Sequence, residues 1–324
     1  MVKRILYSLV TFFLVTVIIF GLFLLMPTDP IAIKLGDNAD ANLEAQLRYK
    51  HGFTVSSEIG AAEVPDVIRY FKWLGGLFQG SLGVSIRYDR PVLELMSTRL
   101  PNTIGLALLA LTCDVFIGVP IGILVAKLSN SGHYWVGAAA SILTQIGIAI
   151  PAFFAAVLLI LLICIKLKLR PVTAWVPIED GLFPFINGLL LPALSISIPG
   201  VSLITRYTRA AMTEELNSDY VRTARCKGVN ETVILFKHVL RNALIPVVTI
   251  LGMRLASVIT GSIVLEQLYS IPGLGTLMIS GINSSDSILV QGLCVYVSMV
   301  VVITYLVLDL LYMVIDPRIR SVAM

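Results

Sequence analysis

Charge is the scarcest property of this sequence. Of its 324 residues, 14% are charged and 57% are hydrophobic, whereas a soluble domain carries about 25% charge. That shortage excludes an ordinary water-soluble domain. Histidine is nearly absent, and His51, His133 and His238 fall in three separate loops. There is no H-E-x-x-H and no G-x-S-x-G, so the metalloprotease and nucleophile-elbow arrangements are missing. No lysine is followed by Ser or Thr, which excludes the phosphate loop of a Walker-type ATPase. The glycines of G-S-L-G at Gly80–Gly83 read as a turn instead. We expect no enzyme here and no bound cofactor. Any nucleotide-driven step belongs to another chain. Cys113, Cys164, Cys226 and Cys294 are too far apart for a metal motif or a disulfide framework, so they read as small packing residues.

Long apolar runs are abundant by contrast. Six segments are long and apolar enough to span a bilayer: Ile5–Met26, Thr103–Ala126, Tyr134–Ile165, Gly181–Thr205, Asn242–Leu265 and Ser287–Leu308. Lipid leaves backbone groups no partner but their own chain, so these are helices. The alternation of a membrane barrel is missing. Tyr134–Ile165 is long enough to tilt or to contain an interfacial turn. The first run is too long for a signal-peptide core and lacks an A-x-A site, so it reads as an uncleaved span.

Positive charge sets the expected orientation. With the N-terminus inside, the cytoplasmic pieces are Met1–Arg4, Lys127–His133, Arg206–Arg241 and Asp316–Met324. The third holds Arg206, Arg209, Arg222, Arg225, Lys227, Lys237 and Arg241. The short loop Lys166–Arg170 argues the other way. The basic residues of the long external loop are balanced by acids, and long loops weigh little in the rule. The net charge of +4 follows from this topology and is no sign of nucleic acid. Two parts result: residues 1–101, a first span with an external loop, and residues 102–324, a five-helix core carrying a cytoplasmic loop at 213–241. In the external loop, Asp66–Leu74 has helical apolar spacing at Val67, Ile68, Phe71 and Leu74. It reads as an interfacial helix.

The polar island in the third cytoplasmic piece is the most informative segment. It reads D-Y-V-R-T-A-R-C-K-G from Asp219 to Gly228, then K-H-V-L-R-N-A-L-I-P from Lys237 to Pro246. Asn217 and Ser218 are expected N-caps. A short helix to about Lys227 puts Tyr220, Thr223, Ala224 and Lys227 on one face. Gly228 ends it in the left-handed conformation, and Asn230 caps the next helix, which carries Phe236 and Leu240 toward the membrane. Two short helices at an angle form a projecting knob that docks a partner or acts as a gate. An amphipathic loop lying on lipid headgroups fits the residues equally well.

The island also resembles the cytoplasmic E-A-A loop of ATP-binding-cassette importer permeases, E-A-A-x-x-x-G-x9-I-x-L-P. Gly228 stands at the glycine and Arg222, Thr223 and Ala224 at the E-A-A places. His238-Val239-Leu240-Arg241 departs from I-x-L-P in the manner of the peptide and nickel branch, whose permeases read D-Y-x-R-T-A-R-x-K-G and H-x-L-R-N-A-x-x-P. M-P-T-D-P at Met26–Pro30, G-S-L-G-V-S at Gly80–Ser85, G-V-P-I-G at Gly118–Gly122, Y-S-I-P-G-L-G at Tyr269–Gly275, V-L-D-L-L-Y at Val307–Tyr312 and the terminal D-P-R-I-R extend the resemblance along the chain. It implies an all-α membrane protein, the six-helix bundle of a type I importer permease. The implied partners are a second permease subunit, two cytoplasmic ATPases and an external binding protein. Asp219, Tyr220, Arg222, Thr223, Ala224, Lys227 and Gly228 become a coupling helix in a cleft of the ATPase. A permease for nickel or another metal chelate shares every one of these motifs. A non-transport scaffold or a channel is the rival of another class.

Asp114 and Arg254 stand near the middles of the second and fifth spans. A lone charge there costs about 2.5–3.5 kcal/mol on insertion scales. Each is expected to face the bundle or a translocation path, either paired with the other or alone. Asp309, near the inner end of the last span, reads as a packing residue.

Overall fold

The computed structural model describes residues 2–25, 29–36 and 40–315. Met26–Thr28 of the first-span exit motif and the terminal segment from Asp316 lie outside the described residues. Among the described residues the chain is helical and forms no strand, only isolated bridges at Thr54–Glu63 and Val84–Pro91. Five helices are long and apolar enough to cross a membrane, or six when one bent pair counts as a span. The chain is a multi-pass, all-α membrane protein.

The bent pair is Tyr134–Ile165 of the sequence reading. It is neither one straight nor one tilted helix: α7 (Tyr134–Ala149) and α8 (Ala152–Leu159) meet at 96°, and α8 continues as a π-helical turn to Lys166.

 The cause is Pro151. It holds Ile150 in extended backbone, ψ 117°, because a proline ring disfavours the helical conformation of the residue before it. Pro120, Pro192, Pro199 and Pro246 sit inside unbroken helices, as neighbouring groups in a bundle permit.

Two compact units emerge: residues Met1–Thr103 with Pro272–Ile303, and Ile104–Ile271 with Thr304–Met324. Residues 272–303 thus group by contact with the N-terminal part. The reason is a shared apolar cluster, in which Leu274, Leu277, Leu289 and Leu293 pack with Val92, Leu95 and Met96.

The first unit contains α1 (Val2–Leu24), α2 (Pro30–Leu35), α3 (Ala41–Lys50), α4 (Asp66–Phe78), α5 (Val92–Ser97), the start of α6 (Leu100–Asn130), α13 (Leu274–Asn283) and the first part of α14 (Ser287–Ile315). The helix expected near Asp66 is α4. It lays Tyr70 and Trp73 against Phe20 of α1, at ring-centroid distances of 5.3 and 5.6 Å. Val67, Ile68 and Phe71 stay exposed on its other side. The G-S-L-G-V-S turn is fixed by a buried carboxylate: Asp286 accepts from the Ser85 hydroxyl at 2.5 Å, the Arg87 N–H at 3.0 Å and the Leu289 N–H at 3.1 Å. The last of these caps α14.

The second unit holds most of α6, then α7, α8, α9 (Leu182–Leu216), α10 (Asp219–Cys226), α11 (Glu231–Val233), α12 (Leu240–Leu268) and the end of α14. Its core joins Leu106, Ala110, Ala156, Leu189, Ile196, Val258 and Leu265. G-V-P-I-G is a close-packing seam. A Cβ on Gly118 would meet Ile204 at 3.0 Å, and one on Gly122 would meet Thr208 at 2.6 Å. Small residues let α6 approach α9 this closely.

Candidate functional site

The island is far less of a loop than its charge suggests. α9 runs unbroken for 35 residues, past the apolar span and up to Leu216. On the other side, Glu231–Leu268 is helical throughout, with a π-helical stretch at Ile234–Val239. Of the segment 213–241, only the stretches around α10 leave the helix. The knob is therefore mounted on two long helices that project from the membrane spans.

α10 is seated by one buried side. Val221 is wholly buried and packs with Met212 and Leu216 of α9, Ile234, Leu235 and Val239 of the π-helical stretch, and Ala126 and Ala243. Burying a valine contributes about 1.5–3 kcal/mol. The spacing puts Tyr220, Thr223, Ala224 and Lys227 on one face. Of these, Tyr220, Thr223 and Lys227 are exposed, as are Asp219, Arg222 and Cys226, while Ala224 packs partly against the apolar footing. Asp219 and Arg222 approach one another at 3.8 Å in full exposure, where an ion pair contributes little.

The caps divide. Asn217 and Ser218 do not cap α10 with their side chains. The Ser218 hydroxyl donates to the Glu215 carbonyl at 2.6 Å, and the Asn217 amide donates to the Thr213 carbonyl at 2.8 Å. The last carbonyls of α9 lack helical partners and capture both donors. Gly228 has φ +74°, as expected. Its N–H donates to Arg225 at 2.9 Å and the Val229 N–H to Ala224 at 3.2 Å, a Schellman ending. Asn230 caps α11 by accepting from the Thr232 N–H at 2.8 Å. Phe236 is exposed, while Leu240 packs against the footing.

Three polar ties stiffen the knob. Tyr220 donates its hydroxyl to Glu215 at 2.5 Å, and the Asn242 amide donates to Tyr220 at 3.3 Å. α9, α10 and α12 are thereby joined. Burial, then the Glu215 hydrogen bond, pushes the Tyr220 phenol above its usual pKa. Across the glycine turn, Arg225 Nε meets Glu231 at 2.7 Å. Such a unit can transmit a push from its exposed face to both long helices.

Deep in the same unit, Arg254 Nε donates to Asp114 Oδ2 at 3.0 Å, and its guanidinium also reaches the Ile196 carbonyl at 2.6 Å. The pair joins α12 to α6 and α9. Asp114 has no exposed surface and the Arg254 side chain is 12% exposed. Gly200 leaves the room, since any Cβ there would collide with the Asp114 carboxylate. The sequence placed both charges at mid-span but could not reveal Gly200 as their neighbour. Asp309 is a described residue with interactions of its own.

Comparisons with known proteins cover nearly the whole chain. An oligopeptide transport system permease protein of Bacillus subtilis is 35% identical over 322 residues, 98% of each chain. A provisionally named peptide transport system permease of Brucella abortus is 33% identical over 318 residues, also 98% of each. A provisionally named peptide ABC transporter permease of Sinorhizobium fredii is again 33% identical over 318 residues. Residues 1–107 match the N-terminal region of binding-protein-dependent transport system membrane components. With residues 118–321 matching the main domain, the chain belongs to the family of binding-protein-dependent transport system inner membrane components.

Proposed function

We propose that this chain is one of two permease subunits in an ATP-driven importer, moving peptides that an external binding protein delivers. Its family membership supports transport across the membrane. The names of its relatives support peptides as the cargo. The observation that carries the coupling mechanism is the knob: an exposed helical face, Asp219 to Lys227, on an apolar footing shared by two long helices. In this reading Asp219, Tyr220, Arg222, Thr223, Ala224, Lys227 and Gly228 form the coupling helix. Its face meets a cytoplasmic ATPase. Closure of two ATPases would move α9 and α12 together, a rigid-body switch of a packed bundle.

The same reading puts both termini in the cytoplasm, with the segment between α1 and α6 outside. Asp114 and Arg254 hold α6, α9 and α12 in register. Arg254, the more exposed partner, stands nearer the translocation path. The test is reconstitution in liposomes with the second permease, the ATPases and the binding protein. ATP- and binding-protein-dependent uptake of labelled peptide is expected. ATP-independent flux would contradict the importer reading, and uptake of a nickel chelate in place of peptide would contradict the cargo.

A further inference from the structure

The first unit contains a cavity of about 540 Å³ that the transport reading does not use. Phe20, Phe23 and Leu24, at the end of the first span, form part of its wall. Ser287, Ile288 and Gln291, at the start of α14, form another part. The cavity therefore lies where spans meet the membrane surface. Trp73 of α4 also lines it, and tryptophan favours that depth.

Its polar groups are incompletely paired. Gln291 is only 8% exposed, and its Nε2 is shut off from solvent with no hydrogen-bond partner among the described residues. Trp73 and His51 line the cavity as partly buried residues, and their Nε1 and Nε2 atoms are likewise shut off with no partner among the described residues. Buried polar groups are rarely left unpaired, and each such group in a native structure calls for an explanation. An indole N–H and an amide NH₂ are donors, so they call for a ligand rich in acceptor oxygens. Burial, then Lys50 and Lys34, lowers the His51 pKa, so its ring is neutral at pH 7 and can donate or accept.

The charged side chains that line the cavity are mostly basic. Arg48, Lys50, Arg69 and Lys72 all line it. Arg48 is matched by Asp29 and Glu44, Lys50 by Asp89 at 2.9 Å, and Arg69 by Asp66 at 3.2 Å. Asp29, the acid in the wall, also accepts from the Ile31 and Ala32 N–H groups. Lys72 has no ionic partner among the described residues. On α1 and α4, the helices that contribute Phe20 and Trp73 to the lining, exposed apolar side chains such as Ile18, Leu22, Ile68 and Phe71 offer a surface to acyl chains.

We propose that this cavity binds a phosphate anion, supplied from the bilayer as the headgroup of an anionic phospholipid. Lys72 supplies the uncompensated charge, and Gln291 and Trp73 supply the buried donors. The proposal needs only that the chain spans a membrane, so it stands apart from the cargo and the coupling mechanism.

Native mass spectrometry of the whole transporter, taken from nanodiscs with equal phosphatidylglycerol and phosphatidylcholine, tests it. Preferential retention of phosphatidylglycerol is expected. Lys72→Gln should cut that preference about fivefold, the weight of one basic residue near a lipid surface. Gln291→Leu should also reduce it. A wild-type melting temperature for Lys72→Gln in the same nanodiscs serves as the folding control. Equal retention of the two lipids, or an unchanged preference in both variants, overturns the proposal. Displacement of the lipid by millimolar inorganic phosphate overturns the bilayer as source and assigns the site to a free anion.

Discussion

Asp114 and Arg254, separated by 140 residues in sequence, meet at 3.0 Å inside the membrane-spanning part of the chain. Neither charge is tolerable there alone. Removing one partner of a buried pair costs about 3–5 kcal/mol, because the other remains as an uncompensated charge. We expect Asp114→Asn and Arg254→Gln each to lower the thermal stability of the purified transporter. The double variant should recover part of the loss, the signature of direct coupling. Strictly additive losses in a thermal-unfolding cycle would contradict the pair.

Gly200 supplies a second test of the same site. A methyl group there would strike the Asp114 carboxylate, whereas the space beside Gly261 is open to 4 Å. Gly200→Ala should displace the carboxylate and destabilise the bundle by about 1–3 kcal/mol, as overpacking does. Gly261→Ala should be neutral or stabilising by up to about 1 kcal/mol through helix propensity. Equal melting temperatures for the two variants would contradict the close packing of Gly200 on Asp114.

Much of this was legible in sequence. Apolar runs located the spans, and the polar island stood out against them. Gly228 and Asn230 announced their conformations because turn and cap chemistry is local. The orientation of α10 was not legible. Helical spacing assigns residues to faces but does not say which face is buried. That depends on Met212, Leu216, Ile234 and Leu235, which surround Val221. The Asn217 and Ser218 side chains misled because two helix ends compete for them, and α9 captured both. Asp286 gave no signal either. Its role depends on Ser85, 201 residues away.

Gly228 tests the rigidity of the knob. No atom lies within 4 Å of where its Cβ would be, so the demand there is purely conformational. Left-handed backbone costs an L-residue roughly 1–2 kcal/mol, and Asn tolerates it better than most. Gly228→Val should reduce peptide uptake and substrate-stimulated ATP hydrolysis together, and Gly228→Asn should retain most of both. Normal uptake in Gly228→Val at normal expression would count against the coupling role.

Orientation is open to direct labelling. Ser57 and Thr232 are both exposed. A cysteine at Ser57→Cys should react with an impermeant thiol reagent on intact cells, and one at Thr232→Cys only after permeabilisation. The reverse pattern would overturn the orientation and remove the knob from the ATPase side.

The most direct measurement uses a native residue. Cys226 is exposed and shares the outward side of α10 with Asp219, Arg222 and Thr223. Its maleimide labelling rate can be compared in the permease pair alone and in the assembled transporter. If α10 docks an ATPase, labelling of Cys226 falls at least tenfold on assembly and recovers when the ATPases are stripped away. An unchanged rate in an assembled, ATP-hydrolysing complex would show that this face stays in water, and would contradict the coupling assignment.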